Sequence, residues 1–153
     1  MAQKTVGQLG FADQLTAGIG RKSGEVLERI SALVDWVGLE RQLGNFYPSH
    51  TGEKGFPPLV MLKVLLLQAW HDLSDPEMEA SLDDRMSFRR FAGFSADDAV
   101  PDHATIWRWR TAFQNASGNI DVTDAGETGV KIFRGQAEVK TTQGQKITLT
   151  ENQ

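Results

Sequence analysis

The stretch Leu59–Trp70, LVMLKVLLLQAW, constrains this chain more than any other. On a helical period its apolar residues fall on nearly every side, and Lys63 and Gln68 are the only polar breaks. A helix with no polar face must be buried all round or lie in an interface. It is too short to span a bilayer, which takes about 20 residues, and Lys63 interrupts it. Pro57-Pro58 open the helix, where proline is tolerated because first-turn N–H groups have no helical partner. The remaining chain must therefore wrap this helix as the core of a bundle, or leave it to a partner as an oligomer interface. With 153 residues, 40% apolar and 24% charged, there is enough chain for one ordinary domain, or a small domain with an appendage.

The sheath is readable on both sides. Before the hub, Val26, Leu27, Ile30, Leu33, Val34 and Val37 recur at helical spacing, with Ser23 as N-cap. A helix is predicted over about 24–37. Gly38 ends or kinks it, and a continuation to Leu43 stops at Gly44-Asn45. Phe46 to Lys54 reads as a loop. After the hub, Ser74-Asp75-Pro76-Glu77 fits a capping box. Met78, Leu82 and Met86 form its apolar seam, with Glu79 and Asp83 facing water. Ser87 restarts a short helix ending at Gly93, in which Phe88, Phe91 and Phe94 make a row and Arg89 and Arg90 project away from it. His71 suits a helix end, where an imidazole can meet the last carbonyls. Asp102 is an N-cap for a last helix, His103 to about Asn115, with Ile106, Trp109 and Phe113 inward and Thr105, Arg108, Thr111 and Asn115 outward. Trp107 sits on a flank.

The ends differ from this middle. Residues 1–23 read as an irregular arm with one weak turn near Phe11–Leu15. After Ala116 the composition changes. Residues 117–128 form a turn-rich linker, and from Gly129 the period becomes two: Val130/Ile132, Ala137/Val139, Ile147/Leu149. Turns at Arg134-Gly135 and Thr142–Gln145 make 129–153 a small three-stranded antiparallel β-meander. The expected fold is mainly α: a helical domain over 24–116 with a candidate helix-turn-helix, plus this β tail.

Chemistry narrows the function. There is no cysteine, hence no disulfide framework and no thiolate metal site. His50, His71 and His103 lack ligand spacing, and no phosphate loop or nucleophile elbow is present. Asp121, Asp124 and Glu127 crowd a turn-rich linker and read as solvated rather than catalytic. No cofactor is expected. The net charge of −4 provides no global attraction to nucleic acid, so any DNA contact needs a local patch. The candidate patch is Arg85, Arg89, Arg90, His103, Thr105, Arg108 and Arg110. His103, Thr105 and Arg108 lie on the half of the last helix that would read base edges, and Arg89 and Arg90 could hold phosphates. Arg110 shares the inward face and could instead pair with Asp84 or Asp102. The plainer reading of all these arginines is surface residues or internal salt-bridge partners. No export signal is legible, so the cytoplasm is the expected compartment and no membrane partner is expected.

Four stretches also carry a family resemblance: Leu9–Asp13; Phe56–Trp70; Leu73–Glu77 running into Ser87–Phe94, SFRRFAGF; and Val100–Arg108, VPDHATIWR. Their order and spacing resemble the N-terminal domain of insertion-sequence transposases of the DDE type, InsH-like group, with Ala104 where that family usually has Ser. The resemblance implies a helical domain that recognises the element's terminal inverted repeats or assembles the transposase. It also implies a larger, separate catalytic domain whose three carboxylates hold Mg²⁺. On this reading the chain is a truncated, non-catalytic piece, binding DNA or pairing with itself or intact transposase. Thr128–Gln153 more loosely resembles a β-meander of FecR-like sensors, as a gene fusion would leave. The alternatives are an oligomerisation module built on Leu59–Trp70, without DNA, and a non-functional remnant of a mobile element.

Overall fold

The computed structural model describes residues 3–22, 24–44, 46–47, 55–116, 129–133, 136–140 and 146–150. Its centre is α4, Pro58–Trp70, with eleven of thirteen residues buried and Pro57 as N-cap. Met61, Val64, Leu66 and Leu67 are fully enclosed. Burial of each such side chain is worth about 1.5–3 kcal/mol, so this helix dominates the core. The residues that bury it belong to the same chain, so the hub is the core of the domain and not an interface left open. Of its two polar breaks, Lys63 lies half-buried over the Trp36 ring, 4.6 Å from its centroid. Desolvation lowers the Lys63 pKa, against the opposing pull of Glu40. Gln68 is buried and its Nε2 donates to Asp75 Oδ1 at 2.6 Å.

The other helices are α1 (Phe11–Leu15), α2 (Glu25–Leu33), α3 (Trp36–Leu43), α5 (Asp75–Asp84), α6 (Met86–Ala92) and α7 (His103–Ala116), of which α3, α5, α6 and α7 pack on α4. The domain is mainly helical. The helix expected over 24–37 is broken earlier than Gly38. Val34 is extended, and Asp35 caps a new helix by accepting from the Gly38 N–H at 3.0 Å. Gly38 therefore sits inside α3, where a Cβ would collide with the Asp35 carboxylate. The break also divides the predicted stripe: Leu27, Ile30 and Val34 are buried, whereas Val26, Leu33 and Val37 are exposed. Gly44 ends α3 with φ +52°, a left-handed turn that glycine adopts without steric cost.

The capping box of α5 forms as its sequence dictates. The Ser74 N–H donates to Glu77 Oε2 at 2.8 Å, and Ser74 Oγ accepts from the Glu77 N–H at 3.4 Å. Met78 and Leu82 are fully buried, but Met86 leaves their seam because extended Arg85 starts a new helix there. Gly93, φ +99°, closes α6, and Phe88, Phe91 and Phe94 pack inward. His71 caps α4 with its backbone N–H, to Leu67 O at 3.1 Å, while its ring lies 4.8 Å from Phe88. Burial, then Arg85, lowers the His71 pKa.

Strands β1 (Gly129–Phe133), β2 (Gln136–Lys140) and β3 (Lys146–Thr150) pair antiparallel in that order. The register sets Val130 opposite Val139 and Ala137 opposite Leu149. Ser23, Asn45, the linker 117–128 with Asp121, Asp124 and Glu127, and the intervening turns lie outside the described residues. Among the described residues, no helix is long and apolar enough to cross a membrane.

Candidate functional site

Helix α7 carries the largest share of the predicted patch, and its orientation is fixed by α5. Asp75 and Glu79 stand one turn apart on α5. Asp75 takes Arg110 of α7 in a two-pronged pair, with Nη2–Oδ2 at 2.8 Å and Nη1 on Oδ1. Arg110 also donates to Gln68 Oε1 at 3.4 Å. The Arg110 hydrogen bond draws the Asp75 carboxyl below its ordinary range, and Asp75 raises the Arg110 pKa in return. Arg110 is thus an internal partner, paired with Asp75 and not with Asp84 or Asp102. Glu79, expected in water, receives both the backbone N–H of His103 at 2.8 Å and a contact from its ring Nδ1 at 2.9 Å. The ring hydrogen bond is the main cause that lowers the Glu79 pKa.

The start of α7 is preorganised. Asp102 Oδ1 accepts from the Thr105 N–H at 2.8 Å, the cap that the sequence predicts. Hydrogen bonding from Thr105, led by its side chain, holds the Asp102 carboxyl below its usual range. Thr105 Oγ1 accepts from Arg108 Nη2 at 3.1 Å, which draws the exposed guanidinium toward the helix start. Ile106, Trp109 and Phe113 face the core. Trp109 joins Phe46, Tyr47 and Phe113 in an aromatic cluster. Trp107 instead stands 54% exposed. The outward face of α7 is therefore His103, Ala104, Trp107, Arg108, Gln114 and Asn115, with Thr105 and Thr111 half-buried. No acidic residue lies between His103 and Ala116.

The predicted phosphate contacts on α6 have other partners. Arg89 does not project away from the phenylalanine row. It is 6% exposed, and Nη1 donates to the carbonyls of Ser95 at 2.8 Å and Asp98 at 3.0 Å. Arg90 reaches the N-terminal arm, where Nη2 donates to Thr16 O at 2.7 Å and Ala17 O at 3.2 Å, and Nη1 to Ile19 O. Arg85, at the α5–α6 junction, is exposed and lies over the Phe88 ring at 5.0 Å. The structure thus groups His103, Thr105 and Arg108 on one helix and assigns Arg89, Arg90 and Arg110 internal partners. The two helices of the candidate helix-turn-helix, α6 and α7, are joined by the loop 93–102, and α7 packs chiefly against α5 and α4. That unit requires a tight turn, so α5 takes the bracing position instead.

The arm is tied down at several points. Gly7 N–H donates to Asp98 Oδ2 at 2.7 Å, Ala96 N–H to Asp13 Oδ1 at 2.9 Å, and Lys4 N–H to Gly55 O at 2.8 Å. It nevertheless leaves Leu9 84% and Phe11 74% exposed, together with Leu15 and Ile19. Among the described residues, no three His, Asp or Glu side chains are grouped to hold a metal ion.

Sequence reasoning missed Asp75 and Glu79 as the braces of α7. Their signal was present: two acids four apart on one helix, and a histidine and an arginine seven apart on another. Their order, the earlier acid with the later base, is that of two antiparallel helices, once one knows that they are neighbours.

These features define a helical domain that presents one acid-free surface helix. Residues 19–112 match the family model described as Transposase domain (DUF772), and the chain belongs to this transposase-domain family. No solved structure matches the chain.

Proposed function

We propose that residues 24–116 are the DNA-recognition and assembly domain of a transposase of the DDE type, InsH-like group, with α7 as its recognition helix braced by α5. The observation that carries this is the outward face of α7. In a chain of net charge −4, it presents His103, Arg108, Trp107 and two amides without a single carboxylate. Such a face suits the major groove: Arg108 can offer two N–H groups to guanine, His103 and Thr105 single hydrogen bonds to base edges. Of the arginines on α5 and α6 in the candidate patch, Arg85 is exposed and can meet a phosphate. Asp102 and Glu79, at the start of the helix, limit non-specific attraction, so recognition rests on fit more than on field strength.

On this reading the chain is not itself an enzyme. The strand chemistry and its Mg²⁺ belong to a separate catalytic domain, and residues 129–153 are a fused appendage of the FecR-like kind. The setting is the cytoplasm. Fluorescence anisotropy with labelled duplexes of the element's terminal repeats and with scrambled duplexes tests recognition. A preference for the repeats at moderate salt is expected, and equal affinity for both sinks the reading.

A second reading is favoured by the arm. Backbone hydrogen bonds fix it while Leu9, Phe11, Leu15 and Ile19 face solvent, a surface suited to self-association or pairing with intact transposase. Light scattering distinguishes them: a dimer insensitive to duplex, lost in L9S/F11S, supports an assembly module alone. The buried α4 is not the surface involved.

A further inference from the structure

The pairing of Glu79 with His103 fixes more than the position of α7. Glu79 Oε2 accepts from the His103 backbone N–H at 2.8 Å, and the same oxygen lies 2.9 Å from Nδ1. The hydrogen bonds from His103 favour the ionised form of Glu79, and an ionised carboxylate can only accept. The proton between the two must therefore sit on Nδ1. In the neutral ring Nε2 then carries a lone pair and no hydrogen. The side chain is 62% exposed, and among the described residues no group bonds Nε2.

Resting on the reading of α7 as a recognition helix, we propose that Glu79 is a positioning residue that sets the Nδ1–H tautomer of His103. His103 then presents Nε2 to DNA as a hydrogen-bond acceptor. An acceptor in the major groove selects bases that display an amine, N6 of adenine or N4 of cytosine, and disfavours the O4 of thymine and O6 of guanine. Thr105 and Arg108, further along the same helix, offer donors, so the first turns of α7 combine an acceptor with donors to guanine. This pattern discriminates bases more finely than charge alone.

The first arm of the test needs no DNA. Long-range ¹H–¹⁵N correlation spectra of the full chain, at about pH 8.5 where an ordinary imidazole is neutral, report which ring nitrogen carries the proton. Nδ1–H is expected for His103 in the native chain, and a shift toward the Nε2–H form is expected in E79A. Circular dichroism checks the helix content. If E79A loses it, E79Q takes its place, because an amide can offer either a donor or an acceptor and so yields a mixture of forms. Finding Nε2–H in the native chain overturns the proposal.

The second arm selects bound sequences from a randomised duplex library. One position enriched in adenine or cytosine is expected, relaxed about 3- to 10-fold by H103A, as for one hydrogen bond, and turned toward guanine or thymine by E79A. Enrichment that H103A leaves unchanged overturns the base-reading role. No enrichment by the native chain overturns the recognition reading itself, and the spectroscopic result tells the two failures apart.

Discussion

Arg110, midway along α7, grips Asp75 in the first turn of α5 with both prongs of its guanidinium, and Gln68 of the apolar hub α4 bonds to each of them. Three helices therefore meet at one polar knot set against the apolar residues of α4. Removing either charge leaves the other partly buried without its partner. D75A and R110A are each expected to destabilise the domain by about 1–3 kcal/mol, measured by urea denaturation. The double variant should cost clearly less than the sum, because the two changes remove one interaction. Strict additivity would show that the pair contributes nothing.

Acid should weaken the fold. The Asp75 carboxyl is depressed first by Arg110, Asp102 by Thr105 and Glu77 by Ser74. A group whose folded pKa lies below its unfolded value contributes stability that is fully present above the unfolded value. That contribution is lost as pH falls through the folded one. Stability is expected to hold at neutral pH and to decline below about pH 4. D75N should be less stable at neutrality and decline less steeply on acidification. Urea midpoints across a pH series give both slopes, and parallel curves would contradict the assignment.

Arg90 holds the arm by three carbonyls more than seventy residues away in sequence. R90K keeps the charge but lacks the planar fork that reaches several acceptors. Hydrogen exchange should report faster amide exchange over residues 11–20 in R90K and unchanged protection in α4. Uniform loss across both regions would mean that Arg90 supports the core instead.

Two neighbouring cations should separate cleanly. Arg89 is buried on the carbonyls of Ser95 and Asp98. R89A is expected to cost about 1–3 kcal/mol of stability by leaving those groups unsatisfied. Arg108 is exposed. R108A should leave the thermal midpoint nearly unchanged while weakening duplex binding by about 1–3 kcal/mol. Calorimetric unfolding together with anisotropy reads both quantities. The reverse pattern would exchange the roles given to the two residues.

Much of this architecture is legible locally. The all-round apolar run of α4, the Ser74–Glu77 box, the Asp102 cap and the Gly93 stop depend on residues within one or two turns, where spacing alone dictates the hydrogen bonds. The break at Asp35 was less legible. Asp35-Trp36-Val37-Gly38 carries a cap signal, but the apolar stripe through Val37 argued for continuity. On the candidate surface, the outward position of Arg108 follows from helical period. The inward use of Arg89 and Arg90 does not, because period says where a side chain starts and not where a long, flexible one ends.

The sequence by itself determined that a buried central helix exists, that capped helices surround it, and that the last of them carries His103, Thr105 and Arg108 near its start. It carried the motifs of the transposase-domain family as well. Only the tertiary structure decided which cations remain available. Arg89, Arg90 and Arg110 find carbonyls and a carboxylate supplied by segments that folding brings beside them, and Glu79 finds His103 in the same way. A charged group withdrawn from water needs a partner, and which partner it meets is set by the packing of helices around α4, a long-range relation that no local pattern encodes.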